Sequence, residues 1–321
     1  MRRTPHTVSS YVARRVGQLV PVLLIVSAIV FFVFRIIPGD MAIMRLGQNA
    51  DPASIAAMRK LLGLDRPLYV QYVEWLGNAV HGDLGTSYIN EQSVTSLVLQ
   101  TFPATLELAI LGMLLGLLLS VPMGILAALR RGTWLDHVAR VLALIGFCMP
   151  RYWLAVLLIA LLAVQVGWLP PAGYADLSAD PADNLRHAAL PVLSLGLTIA
   201  AVQMRFLRSS LLDVLSQDYV RTARAKGLSP GTVALRHALK NALIPFVTIV
   251  GLEMGSLLGG LVVVEQIFSW PGIGWLMINS ITQRDYAVVQ GSVLFIAAGV
   301  VVINLVVDVL YGYLDPRIRY A

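Results

Sequence analysis

Charge is scarce in this chain: Asp, Glu, Lys and Arg make up only 13% of its 321 residues. An ordinary soluble domain carries about 25%, because its surface must be wetted. The deficit argues against a free-standing soluble fold, whereas a chain surrounded by lipid needs no charged shell. Cysteine is nearly missing. Cys148 stands alone, which excludes an intrachain disulfide and a thiolate metal cluster. Set in an apolar run, it is expected to be a small buried hydrophobe. The five histidines (His6, His81, His137, His187 and His237) are scattered, and none falls in a His-Glu-x-x-His pattern. No Gly-x-x-x-x-Gly-Lys-Ser/Thr loop is present, so the chain has no phosphate cradle for ATP. These gaps argue against an enzyme.

Long apolar runs fill the space. Hydrophobic residues make up 57% of the chain, and a hydrocarbon core needs about 20 of them in a row as helix. Six segments qualify: Val16 to Ile37, Leu106 to Leu129, Val138 to Val166, Leu190 to Leu212, Ala242 to Phe268, and Val288 to Tyr311. The first follows Arg14 and Arg15 as a signal peptide would, but it is too long and no small-x-small site follows, so an uncleaved span is expected. With six spans both termini share one side, and that side holds 16 of the 24 basic residues against 6 on the other. The excess places both termini in the cytoplasm. It also accounts for the net charge of +6 without nucleic acid, since the basic residues mark topology and are not gathered on one face.

The organisation that follows has three parts: 1–37, a cytoplasmic segment and first span; 38–104, an extracytoplasmic insertion; and 105–321, a five-span core with a cytoplasmic loop at 218–241. Within the insertion, Asp51-Pro52 marks a helix start and Gly63 its end. A second helix from Pro67 carries Tyr69, Tyr72, Val73 and Leu76 on one apolar face.

The cytoplasmic loop is the most explicit segment. Residues 218–226 favour helix with basic residues late, Gly227 suits a left-handed terminator, and Ser229-Pro230 is a cap and first residue for the next helix. A short helix through His237 is expected, with Leu228 and Val233 left to bury. Residue patterns alone leave two readings open: a connector lying on lipid headgroups, or a knob gripped by a cytoplasmic partner.

Ionisable groups within spans are costly and mark function by default. Glu107 and Asp308 sit near span ends, where a cap or snorkelling explains them. Arg151, after Met149-Pro150 within span three, must meet water or a carboxylate. Glu253 in span five is the partner to expect, beside Gly251, Gly255 and Gly259, a ridge that admits a close helix.

The block from Tyr219 to Pro245, running Tyr-Val-Arg-Thr-Ala-Arg-Ala-Lys-Gly-Leu-Ser and on to Arg-His-Ala-Leu-Lys-Asn-Ala-Leu-Ile-Pro, resembles the permease signature of bacterial ABC importers of the dipeptide/oligopeptide/nickel branch. Further stretches resemble the same branch in order along the chain: Pro38-Gly39-Asp40, Gly82 to Ser87, Trp168-Leu169-Pro170, Val264 to Gly274, Arg284-Asp285-Tyr286 and Asp315-Pro316-Arg317. Where many importers have Glu-Ala-Ala, this chain has Thr222-Ala223-Arg224, so a glutamate contact to the ATPase is not carried over. The resemblance implies an all-α polytopic membrane protein of six transmembrane helices with the type I importer permease fold. It implies a non-enzymatic subunit in the bacterial inner membrane, forming the path for short peptides, or else for a nickel chelate or glutathione-like solute. ATP and Mg would be bound by two partner ATPase subunits. A second homologous permease forming a heterodimer, an extracytoplasmic substrate-binding protein and membrane lipid complete the partners. The coupling contact would fall on Ala223, Ala225, Gly227, Leu228, Ser229, Pro230, Val233, Arg236 and His237. Glu265 resembles a recurrent family position and joins Arg151 and Glu253 as path or gate candidates. A self-contained channel or secondary transporter is the competing class, but the two three-span halves show no repeat.

Overall fold

Helix satisfies every backbone polar group within the segment itself, which is what an apolar solvent demands. The computed structural model describes residues 8–36, 41–46, 50–61 and 63–314, and among them the only β pairing is an isolated bridge between Thr86 and Ser93. Pro38-Gly39-Asp40, Asp315-Pro316-Arg317 and the terminal basic residues Arg2, Arg3 and Arg319 lie outside the described residues.

Helix α1 (Val8–Ile36) is the first span. Three short helices follow: α2 (Met41–Leu46), α3 (Pro52–Leu61) and α4 (Leu68–Val80). Asp51 caps α3 as expected, accepting from the Ala53 and Ser54 backbone N–H at 2.6 and 3.0 Å, and Gly63 ends it with φ +65°. The apolar face foreseen on α4 is split. Tyr72 turns inward, its hydroxyl 2.9 Å from Ser27 Oγ and its ring against Phe31 and Phe32 of α1, whereas Tyr69 and Val73 are exposed.

The core is built on α5 (Val94–Leu129) and α8 (Pro181–Leu215), two helices much longer than the apolar runs they contain. The first eleven residues of α5, 94–104, fall inside the segment read as insertion. The pair approaches closely because small residues leave room: a Cβ on Gly116 would stand 2.5 Å from Ile199 Cγ2, and one on Gly196 would stand 2.6 Å from Leu115 Cδ2. Gln203 of α8 makes two buried hydrogen bonds to α5, its Oε1 accepting from Ser120 Oγ at 3.1 Å and its Nε2 donating to Met113 Sδ at 3.2 Å.

Span three is not one helix. α6 (Trp134–Cys148) and α7 (Arg151–Leu158, continued by a π-helical turn to Gln165) meet at a bend of 102°. Met149 adopts an extended conformation (φ −84°, ψ 120°), as a residue before proline prefers. Cys148 at this elbow is exposed, contrary to the sequence expectation, because it continues the uncovered face of α6 that carries Val141, Leu144 and Ile145. Among the described residues, five helices are long and apolar enough to cross a membrane, and the bent pair taken as one makes the sixth span.

After α8 come α9 (Asp218–Ala225) and α10 (Pro230–Thr232), then α11 (Leu239–Gly260), α12 (Val262–Ile267), α13 (Ile273–Thr282) and α14 (Tyr286–Leu314). α10 passes through a π-helical turn (Val233–Ala238) straight into α11. The short separate helix read after Gly227 is therefore the foot of span five. The glycine ridge divides: Gly251 and Gly255 pack against Val307 and Asn304 of α14, but Gly259 faces open space.

Candidate functional site: a knob at the foot of span five and a charged pair in the spans

The knob is made by backbone geometry first. α9 ends at Ala225 with Lys226 as its C-cap, and Gly227 follows at φ +80° with nothing within 4 Å of a Cβ built on it, so conformation and not crowding calls for glycine. Ser229 then caps the next helix, its Oγ accepting from Thr232 N at 3.3 Å. Beneath the turn, Val220, Ala223 and Val233 form a small buried cluster with Leu215. Asn241 Nδ2 donates to the Tyr219 hydroxyl at 2.8 Å, tying α9 to α11.

That arrangement sorts the coupling candidates. Ala223 and Val233 are buried and hold the knob's shape. Ala225, Gly227, Leu228, Ser229, Pro230 and Arg236 are exposed, with His237 half-buried beside them. Leu228 does not bury with Val233 as the sequence leads one to expect. It is 38% exposed, a leucine offered at the tip of a polar turn.

Gly227-Leu228-Ser229-Pro230-Gly231 also spells Gly-x-Ser-x-Gly, the pattern of a hydrolase nucleophile elbow. That elbow needs a strand before it and a histidine on the serine. Here a helix precedes it, and the Ser229 hydroxyl is engaged with Thr232. The serine is a cap.

A clamp that residue order does not reveal braces the same end of the core. Asp136 of α6 is buried and accepts from Arg208 of α8 at Nε and Nη2 (2.7 and 2.9 Å) and from Gly132 N at 3.0 Å. Arg140, one turn on, lies 3.6 Å away. Only this i, i+4 Asp–Arg spacing could have drawn attention to it.

Within the spans, the structure brings Arg151 and Glu253 together, Nη2 to Oε2 at 3.6 Å, joining α7 to α11. Glu265 is elsewhere and differently employed. It is fully buried on α12, accepting from Thr105 Oγ1 at 2.7 Å and from Trp275 N at 3.0 Å. Thr105 Oγ1 in turn accepts from Ile273 N at 2.8 Å, so its own proton must go to the carboxylate. Glu265 thus caps α13 across two helices, and Gly272 is needed because a Cβ there would collide with Oε1. Trp270 Nε1 donates to Ala104 O at 2.9 Å and closes the same knot.

Comparison with known proteins agrees with this architecture. A family model described as "Binding-protein-dependent transport system inner membrane component" matches residues 120–320, and its N-terminal companion matches residues 8–109. "Glutathione transport system permease protein GsiC" of Salmonella choleraesuis (strain SC-B67) is 45% identical over 97% of this chain and 99% of its own length. The protein of the same name from Escherichia coli (strain K12) is 44% identical over the same shares. Among solved structures, an inward-facing form of the MetNI methionine ABC transporter matches in fold, with TM-score 0.56 at 19% identity over 68% of this chain and 96% of that one. The chain belongs to the binding-protein-dependent transport system inner membrane component family and is a permease subunit of an ABC importer, with the type I permease fold.

Proposed function

We propose that this subunit forms half of a translocation path for short peptides in the bacterial inner membrane, with both termini in the cytoplasm. The observation that carries the mechanism is the knob: a rigid turn with a buried base and an exposed apolar tip at Leu228, directly continuous with span five. Two ATPase subunits bind ATP and Mg, and one of them seats this knob. Closure of the ATPases on ATP then pushes through the stiff α10–α11 junction and tilts span five. A second homologous permease completes the path as a heterodimer. An extracytoplasmic binding protein delivers solute to the outer face formed by 38–104 and the knot around Glu265. The substrate assignment rests on the branch resemblance. Relatives named for glutathione transport, 45% identical over nearly the whole chain, favour a peptide-like solute carrying carboxylates as the second reading.

The test is ATP-dependent uptake into proteoliposomes by the complex purified through a tag on this subunit, with labelled dipeptide, tripeptide, glutathione and nickel offered in parallel. Peptide uptake that requires co-purified ATPase supports the assignment. Uptake of glutathione with no dipeptide uptake moves it to the second reading, and uptake of nickel alone refutes both.

A further inference from the structure

An arginine within an apolar span cannot shed its proton and has to be paired or hydrated. Arg151 is only half provided for. Glu253 is the one carboxylate within ion-pair reach among the described residues, and at 3.6 Å it stands beyond hydrogen-bond length. No described residue accepts a hydrogen bond from the guanidinium, and Glu253 Oε2, although buried, accepts none in return. The Arg151 side chain is 32% exposed. Its Nη1 lies over Gly260, 3.2 Å from where a Cβ would stand. The neighbouring face of α11, at Leu252, Ser256 and Gly259, is left uncovered by this chain.

Three features combine: a fixed positive charge, unsatisfied planar N–H donors, and an open face beside them. A guanidinium fork is matched in shape and charge by a carboxylate. Glu253 gives the complement, since a neighbouring carboxylate lowers the net charge and keeps the arginine from holding an anion so tightly that it cannot leave. The bend at Met149–Pro150 delivers the group, because it starts α7 at Arg151 and swings the side chain toward α11.

We propose that Arg151, tempered by Glu253, is a transient binding residue for the carboxylate of the transported solute. The inference rests on the peptide-importer reading and narrows it to peptides or peptide-like anions with a free carboxylate.

Two measurements on the intact complex test it. The first compares ATP-driven uptake of a peptide with that of its C-terminal amide, for wild type, Arg151→Gln and Arg151→Lys, at saturating binding protein. Comparing variant with wild type for each solute cancels selection by the binding protein. Arg151→Gln is expected to lower uptake of the carboxylate peptide about tenfold, as loss of a charge-assisted hydrogen bond does, and that of the amide less than about twofold; Arg151→Lys keeps most of the activity. Equal losses for both solutes make the pair a structural tie and overturn the proposal.

The second measurement needs neither uptake nor the binding protein. Modification of Arg151 by phenylglyoxal, read by mass spectrometry of the wild-type complex, is expected to slow severalfold with the peptide and not with its amide. Identical rates overturn the carboxylate site. A wild type that transports neither peptide refutes the peptide reading, while the protection result still decides the site.

Discussion

Glu265 shows what a single side chain does when a membrane protein buries it. Sequence alone makes it a candidate for the outer gate, but both its oxygens are taken by donors of this chain, Thr105 Oγ1 and Trp275 N. Its role on these contacts is to position α13 against α5 and α12. Glu265→Gln keeps the volume yet turns one acceptor into a donor: Trp275 N–H cannot accept in its place, and Thr105 Oγ1 can only by turning its own proton away from residue 265. A buried hydrogen bond to a charged group contributes about 1.5–3 kcal/mol, and the Glu265→Gln variant should lose about that much. Thr105→Val, which removes the relay to Ile273, should cost a comparable amount. Thermal unfolding of the detergent-solubilised complex checks both. An unchanged midpoint for Glu265→Gln would mean that the knot contributes nothing to stability.

At the scale of elements, the caps were legible and the break was not. Asp51, Gly63, Gly227 and Ser229 each act through the two or three residues beside them, so local sequence specifies them. Proline is less decisive. Pro103 and Pro122 lie inside α5, and Pro191 inside α8, without ending the helix, whereas Pro150 accompanies a 102° bend. The difference is that Met149 leaves the helical region, and nothing in its own identity requires that. Two predictions belong here. At Gly227 the left-handed backbone costs an L-residue about 1–2 kcal/mol, and asparagine bears it better than a β-branched residue. Gly227→Val should therefore lose most ATP-driven uptake while assembly persists, and Gly227→Asn should keep most of it; equal activities would remove the turn from the mechanism. Between α5 and α8, Gly116→Ala forces a contact at 2.5 Å and should destabilise by about 1–3 kcal/mol, as overpacking does. Ile199→Ala in the same chain should recover part of that loss, measured as a double-mutant cycle in thermal unfolding.

For the whole molecule, hydropathy located every span and underestimated the long ones. The apolar run at 190–212 is the part of α8 buried in the core within the membrane, and the whole helix at about 1.5 Å per residue extends roughly 52 Å. That exceeds the hydrocarbon thickness of about 30 Å, so α8 projects on both sides. Its polar N-terminal end, opened by the Asp180 cap, carries no hydropathy signal, whereas Arg208 lies inside the apolar run and is paired with Asp136. The Arg151–Glu253 pair was legible as a need for partnership, but its geometry depended on a bend that the sequence did not announce. The orientation deduced from basic residues makes a whole-chain prediction that α8 itself can test, because exposed leucines flank it at Leu177 and Leu228. With Cys148→Ala removing the one native thiol, single cysteines at these two positions should report opposite faces. Leu177→Cys should react with a membrane-impermeant maleimide in intact cells, and Leu228→Cys only after permeabilisation. Labelling of both from outside would break the six-span topology, and labelling of Leu228→Cys alone would invert it and put the knob out of reach of any ATPase. The expected pattern leaves the knob on the cytoplasmic side, where bound ATPase subunits should shield Leu228→Cys from the reagent and their dissociation should expose it.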